Sequence, residues 1–184
     1  MTEATQTRTT PTRTPTTPSA LARAIEPLDA ERFFDEHWER KPLVVPRAER
    51  GRFDDLLSVR DVERLVTETG IRTPAFRLVK AGESPDDYTT DLPWRPAPFT
   101  GVADVRRVLA EFEAGATIVL QGLHHLWLPL ARYCRHLEAF LGHPAQANAY
   151  YTPSGSQGLP VHHDTHEVIS LQVAGEKRWL VYEP

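Results

Sequence analysis

The amino-acid sequence predicts an α+β protein in which a helical N-terminal region leads into a C-terminal part built of strands. Several segments carry apolar side chains at helical spacing, and each is followed by a glycine or a proline. Later segments are short and rich in β-branched or aromatic residues, as is typical of strands. The helical segments are 28–38, 58–70, 102–114 and 130–140, and the later strand segments are 117–120, 147–152 and 168–173.

Composition limits the classes of function. The formal net charge of -4 and the pI near 6.1 indicate no general affinity for nucleic acids or anionic membranes. A single cysteine, Cys134, cannot form an intramolecular disulfide and suits a reducing cytosol, so we expect a cytoplasmic protein. No apolar run approaches the roughly 20 residues that a membrane-spanning helix needs. Residues 1–19 are rich in Thr, Pro and Arg without apolar periodicity, which predicts a disordered tail.

The first predicted helix, 28–38, places Phe34 and Trp38 one turn apart, on a face that we expect to pack against the rest of the fold. Pro42 should follow the end of this helix, because the residue before a proline is disfavoured in the helical region. Residues 43–45 then predict a short strand.

Ser58 and Asp61 form a capping-box pattern that should open the second helix, with Gly70 just past its end. A strand is predicted at 76–80, and a proline-rich loop at 82–100. A loop of this length is often functional or mobile. Three of its side chains could either meet a substrate or pin the loop down; they are Tyr88, Trp94 and Arg95.

Two adjacent histidines, His124 and His125, follow the predicted strand 117–120. Neighbouring positions on a helix diverge by about 100°, so the pair is a poor metal site, and structural or surface roles are favoured. Cys134 lies on the apolar face of the helix 130–140, which predicts a buried and inert thiol.

Three histidines and one carboxylate lie close together, at His162, His163, Asp164 and His166. In an extended chain the side chains at i and i+2 share a face, so His162 and Asp164 point the same way. One imidazole and one carboxylate on a common face are two ligands of the 2-His-1-carboxylate triad that holds non-haem Fe(II). The third ligand must then come from elsewhere. A polar surface turn is the alternative interpretation of the same tripeptide.

Lys177 follows Gly175 one predicted hairpin beyond the histidine cluster. Near a metal, its compact positive charge would suit the distal carboxylate of a dicarboxylate cosubstrate. The alternative is a solvated lysine next to a turn glycine.

Together, these motifs resemble those of the cupin-type JmjC ribosomal oxygenases, which are Fe(II)- and 2-oxoglutarate-dependent hydroxylases of protein side chains. The resemblance covers roughly residues 28–184, and the joint spacing is more specific than any single motif. The motifs are Phe33-Phe34-x-x-x-Trp38-x-x-Lys41-Pro42-Leu43, Asn148-x-Tyr150-x-Thr152-Pro153, Ser156-Gln157-Gly158, His162-x-Asp164, Leu171-Gln172, Gly175 and Lys177-Arg178-Trp179.

The resemblance implies a double-stranded β-helix, or jelly-roll, of the cupin/JmjC type. It is incomplete in this chain, where only about half of the roughly eight strands can be counted. The implied division is an N-terminal helical and mixed part at 20–114, followed at 115–184 by the first barrel strands with the metal site.

The resemblance also implies roles for individual residues. His162 and Asp164 match the first two iron ligands, and Lys177 matches the lysine that binds the distal carboxylate of 2-oxoglutarate. Asn148 and Tyr150 match polar positions of the cosubstrate pocket.

The third ligand of the resembled family is a histidine well beyond the lysine, whereas no histidine follows His166 here. We therefore expect the chain to be the N-terminal part of a longer protein, with the third ligand beyond Pro184. His166 is a rival ligand, but three ligands in a line on one strand could not surround one face of an ion. Two departures from the family pattern, His163 and Thr165, leave the ligands intact and would alter the substrate entrance.

The predicted function is hydroxylation of a protein or peptide side chain, using O2, with a ribosomal protein as the substrate that the resemblance suggests. The alternatives are a natural-product peptide hydroxylase, a demethylase, a sugar isomerase on the same barrel, and a non-catalytic cupin-like module that binds a metal or a partner. The resembled family often dimerises through a C-terminal region, so a homodimer is an expectation for the intact protein.

Overall fold

Helices and strands are interspersed along the chain in this computed structural model, which describes residues 19–80, 83–93 and 96–182. The helices of the described part are α1 (Ala20–Ile25), α2 (Ala30–Glu36), α3 (Val59–Glu68), α4 (Val105–Glu113), α5 (Leu123–Leu126) and α6 (Leu128–Leu141). Its strands are β1 (Phe76–Val79), β2 (Thr89–Leu92), β3 (Phe99–Ala103), β4 (Thr117–Leu120) and β5 (Ala149–Tyr151). Residues 1–18 of the predicted tail, together with Trp94 and Arg95, lie outside the described residues.

The described strands form two antiparallel sheets. The larger sheet has the order β1-β4-β5, with Phe76 opposite Leu120 and Val119 opposite Tyr150. The smaller sheet pairs β2 with β3. β4 is buried along its whole length, because it is the central strand and its β-branched side chains are covered on both faces.

The hydrophobic core lies between the larger sheet and the helices. Buried side chains of α1, α3, α6, β1 and β4 belong to one cluster. Polar contacts join distant parts around it: the Tyr133 hydroxyl donates to the carbonyl of Ala20 at 2.9 Å, and the Trp127 indole donates to the carbonyl of Leu56 at 2.8 Å. This packing holds β4 in place, and β4 in turn holds β5.

Helix α3 begins as its sequence predicts. The Ser58 hydroxyl accepts from the Asp61 backbone at 3.2 Å, and the Asp61 carboxylate accepts from the Ser58 backbone at 3.0 Å. Gly70, just past the cap residue at the other end, has φ of 63°, a conformation that glycine adopts without a steric penalty. Cys134 is buried, and burial raises the pKa of its thiol, in agreement with an inert cysteine.

Other local predictions are wrong. Residues 43–45 form no strand; they lie between two prolines, and Val44 is 80% exposed, so neither pairing nor burial favours extension there. The predicted helix 28–38 is limited to α2, and an unpredicted helix, α1, precedes it.

The predicted loop 82–100 instead contains β2 and the start of β3. Tyr88 packs edge-on against Phe76, so it pins this region to the core.

The predicted strand 168–173 is also absent, and the described residues do not close a double-stranded β-helix. A strand is stable only where a neighbouring strand satisfies its backbone N–H and C=O groups. Residues 168–173 pair with no strand in the described part, and Val168 and Ile169 remain exposed. None of the described helices is long and apolar enough to cross a membrane.

Candidate metal site

The predicted site residues lie on or beside β5 and on the segment 152–182, which is termed the C-terminal segment. It contains no helix or strand, yet it is attached to the sheet at its start, where Thr152 Oγ1 lies 2.8 Å from Thr117 Oγ1. Gly158 approaches the same threonine so closely that an added Cβ would lie 2.4 Å from Thr117 Oγ1. Two later side chains of this segment pack against the hydrophobic core: Leu171 and Val173.

His162 and Asp164 face each other, although the strand predicted for them is not formed. His162 Nε2 lies 3.9 Å from Asp164 Oδ2, and both side chains are about half exposed, at 47% and 45%. His162 Nδ1 lies 2.8 Å from the carbonyl oxygen of Pro160. Because a carbonyl oxygen can only accept, the proton of the neutral ring belongs on Nδ1, and Nε2 presents a lone pair. Metal-binding histidines commonly have their second ring nitrogen held in this way.

The separation of these two atoms is compatible with a shared ion. Bonds from a first-row metal such as zinc to imidazole nitrogen or carboxylate oxygen are about 2.0–2.2 Å, so atoms less than about 4.2 Å apart can touch one ion. The 3.9 Å between His162 and Asp164 falls within this range but corresponds to a wide angle at the ion, and the adjacent positions of a facial triad would bring the two atoms to about 3 Å apart. In the described part of the chain, no group of three or more His, Cys, Asp or Glu residues could hold a metal, so neither His163 nor His166 completes such a site.

Lys177 lies against two aromatic rings. Its Nζ is 4.0 Å from the ring centroid of Trp179 and 5.7 Å from that of Tyr150, the residue on β5. Burial of the ammonium lowers the pKa of Lys177, although the residue as a whole remains exposed. The structure therefore brings together Lys177 and Tyr150, two of the predicted cosubstrate residues, across 26 intervening positions of the sequence.

Asn148 lies two positions before Tyr150 and is likewise exposed, so the two residues share one face of the chain at β5. The side-chain oxygen of Asn148 accepts a hydrogen bond from the backbone N–H of Gly122 at 3.0 Å. This bond occupies Oδ1, so the Nδ2 hydrogens are the donors that Asn148 can offer to a ligand.

Two contacts of this region were not predicted. The first is the ring of Trp179 next to Lys177, which the i and i+2 spacing in an extended chain could have indicated. The second is the hydrogen bond that His124 Nδ1 accepts from the backbone of Ala147 at 3.2 Å. The two partners are far apart in sequence, and nothing in the adjacent pair His124-His125 signals the contact.

Comparison with known proteins shows what this chain is similar to. Residues 123–184 match the JmjC domain family. "Ribosomal oxygenase 2" of Rattus norvegicus is 32% identical over 167 residues, which are 87% of this chain and 34% of that protein. "Bifunctional lysine-specific demethylase and histidyl-hydroxylase NO66" of Drosophila persimilis is 29% identical over 164 residues, 89% of this chain and 23% of that protein. The chain is similar to proteins named ribosomal oxygenases over most of its length, and its residues 123–184 match a JmjC domain.

The predicted resemblance to these oxygenases is thereby confirmed. The chain spans 23% and 34% of the length of the two relatives just named. The JmjC match begins at Leu123, the first residue of α5, and includes β5 and the C-terminal segment. Each residue predicted for the site lies inside the matched region.

Proposed function

We propose that the intact protein is an Fe(II)- and 2-oxoglutarate-dependent oxygenase that hydroxylates a protein or peptide side chain. The observation that carries this proposal is the position of the His162 Nε2 lone pair, 3.9 Å from Asp164 Oδ2, where both atoms could bind one cation. Both residues lie inside the region that matches the JmjC domain, and proteins similar to this chain are named as oxygenases.

In this proposal His162 and Asp164 hold Fe(II), which when bound supplies the oxygen chemistry of hydroxylation. The Pro160 carbonyl keeps the proton of His162 on Nδ1, so that Nε2 stays free to bind a cation. Asp164 adds a negative charge that favours a divalent cation at the same place.

Lys177 is proposed to hold the distal carboxylate of 2-oxoglutarate. Among the described residues its contacts are with two rings and not with a carboxylate, so its charge is available to a ligand. A carboxylate would exchange these weaker cation–π contacts for a charge-assisted hydrogen bond. Asn148 Nδ2 and the Tyr150 hydroxyl are further donors that we assign to the same cosubstrate.

The names of the relatives support a protein side chain as the substrate, since they include a histidyl-hydroxylase and two ribosomal oxygenases. We therefore propose a ribosomal protein as the first substrate to examine. A non-catalytic metal-binding or interaction module is the second candidate function, because the described residues supply two ligands of the triad rather than three.

The first prediction concerns metal and cosubstrate binding. The intact protein, titrated anaerobically with Fe(II) and then 2-oxoglutarate, should develop the visible charge-transfer band of a chelated keto acid. His162→Ala removes the nitrogen ligand and should abolish the band. His163→Ala removes the neighbouring exposed imidazole and should leave the band unchanged. A folded, iron-loaded wild-type protein without a band would contradict the oxygenase and favour the non-catalytic module.

A further inference from the structure

Three hydrogen bonds join the beginning of α5 to the residues just before β5. The backbone N–H of Gly122 donates to Asn148 Oδ1 at 3.0 Å, and that of Leu123 donates to the carbonyl of Ala147 at 2.8 Å. In the opposite direction, the backbone N–H of Ala147 donates to His124 Nδ1 at 3.2 Å. These three bonds are termed the α5–β5 clasp. Two of its three partners before β5 are backbone atoms of Ala147, so His124 fixes the residue next to Asn148.

One of the three bonds of the clasp, from the Ala147 N–H to His124 Nδ1, requires a neutral imidazole at position 124. Nδ1 accepts a hydrogen bond only through its lone pair, so the ring proton must be on Nε2. Partial burial, followed by the neighbouring His125, lowers the pKa of His124, and Glu138 on α6 opposes this shift. The His125 ring centroid lies 3.9 Å from that of His124, so a second charge here would face the first at short range.

We propose that His124 is a positioning residue that holds Asn148 in place for the cosubstrate, an inference that rests on the proposed function. Asn148 Oδ1 is already occupied by Gly122, so the direction of its Nδ2 donors depends on where the backbone at Ala147 lies. His124 is the side chain that satisfies the Ala147 N–H. Without this acceptor the Ala147 N–H loses its partner, and the backbone before β5 is held by two bonds of the clasp instead of three, so the Asn148 amide is positioned less firmly.

Acid should have the same effect as loss of the ring. A protonated His124 carries N–H groups on both nitrogens, so Nδ1–H would face the N–H of Ala147, and two donors cannot bond to each other. The bond between Ala147 and His124 is therefore formed when His124 is neutral, and it is lost as the pH falls, so that the clasp keeps two of its three bonds. Binding of 2-oxoglutarate should weaken over the pH range in which His124 becomes protonated.

The test uses two substitutions of His124 that differ in one property. His124→Ala removes the acceptor. His124→Asn replaces Nδ1 with an amide oxygen at the corresponding position, so it keeps an acceptor that does not titrate near neutral pH. His136→Ala removes an exposed imidazole on α6 and is the matched control. Binding of 2-oxoglutarate to the intact protein is measured by calorimetry, with Mn(II) in place of iron, between about pH 5.5 and 8.5.

We expect His124→Ala to weaken 2-oxoglutarate binding at pH 8 by about two- to tenfold, as loss of one hydrogen bond predicts. His124→Asn should bind as tightly as the wild type at pH 8 and, unlike it, should lose no affinity through this group in acid. Hydrogen exchange of a peptide containing Ala147, measured without metal or cosubstrate, should be faster in His124→Ala and unchanged in His124→Asn.

A double-mutant cycle tests whether His124 acts through Asn148. In an Asn148→Ala background, His124→Ala should cause little further loss of affinity, because the donor that it positions is already absent. Equal losses in both backgrounds, or unchanged binding in His124→Ala, would overturn the positioning role and leave the proposed function intact. Wild-type protein that binds no 2-oxoglutarate at any pH would overturn the proposed function, and the positioning role with it.

Discussion

Three of the side chains that we assign to the site, His162, Asn148 and Lys177, each have one part engaged by the protein itself. Pro160 occupies the Nδ1 hydrogen of His162, and Gly122 occupies the oxygen of Asn148. Aromatic rings cover one side of the Lys177 ammonium. In each case the remaining atoms have the chemical character that the proposed ligand needs: a lone pair for a cation, and donors for a carboxylate.

Replacing Lys177 with alanine tests the role of this charge directly. The Kd for 2-oxoglutarate should rise by an amount that corresponds to about 1.5–3 kcal/mol, the usual contribution of a hydrogen bond to a charged group. Binding of the metal alone should be unchanged, since His162 and Asp164 are intact. The measurement is a 2-oxoglutarate titration of the anaerobic Fe(II) protein.

Lys80→Ala is the matched control, because it removes another exposed lysine at the far end of β1. It should leave the Kd at its wild-type value. If Lys177→Ala also left the Kd unchanged, Lys177 would be a surface residue that simply rests on Trp179 and Tyr150.

At the scale of helices and strands, the sequence predicts elements well where the deciding contacts are local. The capping box of Ser58 and Asp61 opens α3 as expected, since both partners lie within one turn. β4 is correct because its four residues are suited to full burial. The errors at 43–45 and 168–173 have a different origin, because pairing between strands depends on segments remote in sequence.

The same distinction applies to the site. The i and i+2 spacing predicts that His162 and Asp164 face each other, and they do so even without a regular strand. The hydrogen bond between Ala147 and His124 and the contact between Gly158 and Thr117 could not be predicted, because each needs the sheet to be assembled first.

The contact between Gly158 and Thr117 should determine how the C-terminal segment sits on the sheet. In Gly158→Ala, the new Cβ would lie 2.4 Å from Thr117 Oγ1 and 3.1 Å from Thr117 Cβ. Thr117 is 1% exposed and is held by its contact with Thr152, so it cannot move without cost. We expect a loss of about 1–3 kcal/mol in the free energy of unfolding, typical of overpacking.

Urea unfolding measures that loss, and a cycle with Thr117→Ala tests its cause. Thr117→Ala removes the hydroxyl and the methyl that the new Cβ would meet. The cost of Gly158→Ala should therefore be smaller in the Thr117→Ala background than in the wild type. An identical cost in both backgrounds would show that the glycine is needed for another reason.

At the scale of the whole molecule, the chain consists of a packed body and a C-terminal segment that contributes only a few side chains to it. The body, from α1 to β5, buries the core and satisfies the strand partners within itself. The C-terminal segment carries exposed apolar side chains in its last residues, including Trp179 and Tyr182. The sequence predicted a helical part followed by a part built of strands, and its strand at 168–173 is not formed, because pairing between strands depends on segments remote in sequence.

A hydrogen bond between Tyr133 on α6 and Ala20 on α1 joins these two helices of the body. The pH dependence of its contribution to stability can be predicted. The buried hydroxyl of Tyr133 donates to the carbonyl of Ala20, and burial raises the pKa of Tyr133 to about 12. In the unfolded chain the pKa of tyrosine is about 10. Between these two values the folded protein keeps a proton that the unfolded chain has lost, so this contribution to stability falls as the pH rises.

Tyr133→Phe should lower the free energy of unfolding near pH 7 by about 1 kcal/mol, the usual net contribution of one hydrogen bond. The difference from the wild type should narrow as the pH rises above about 10 and should change sign before pH 12, because only the wild type loses stability through this hydroxyl. Urea unfolding at a series of pH values measures both effects, and Tyr182→Phe, which removes an exposed hydroxyl, is the control. If the curves of the wild type and Tyr133→Phe ran parallel up to pH 12, the link between α6 and α1 would not depend on a buried, neutral tyrosine.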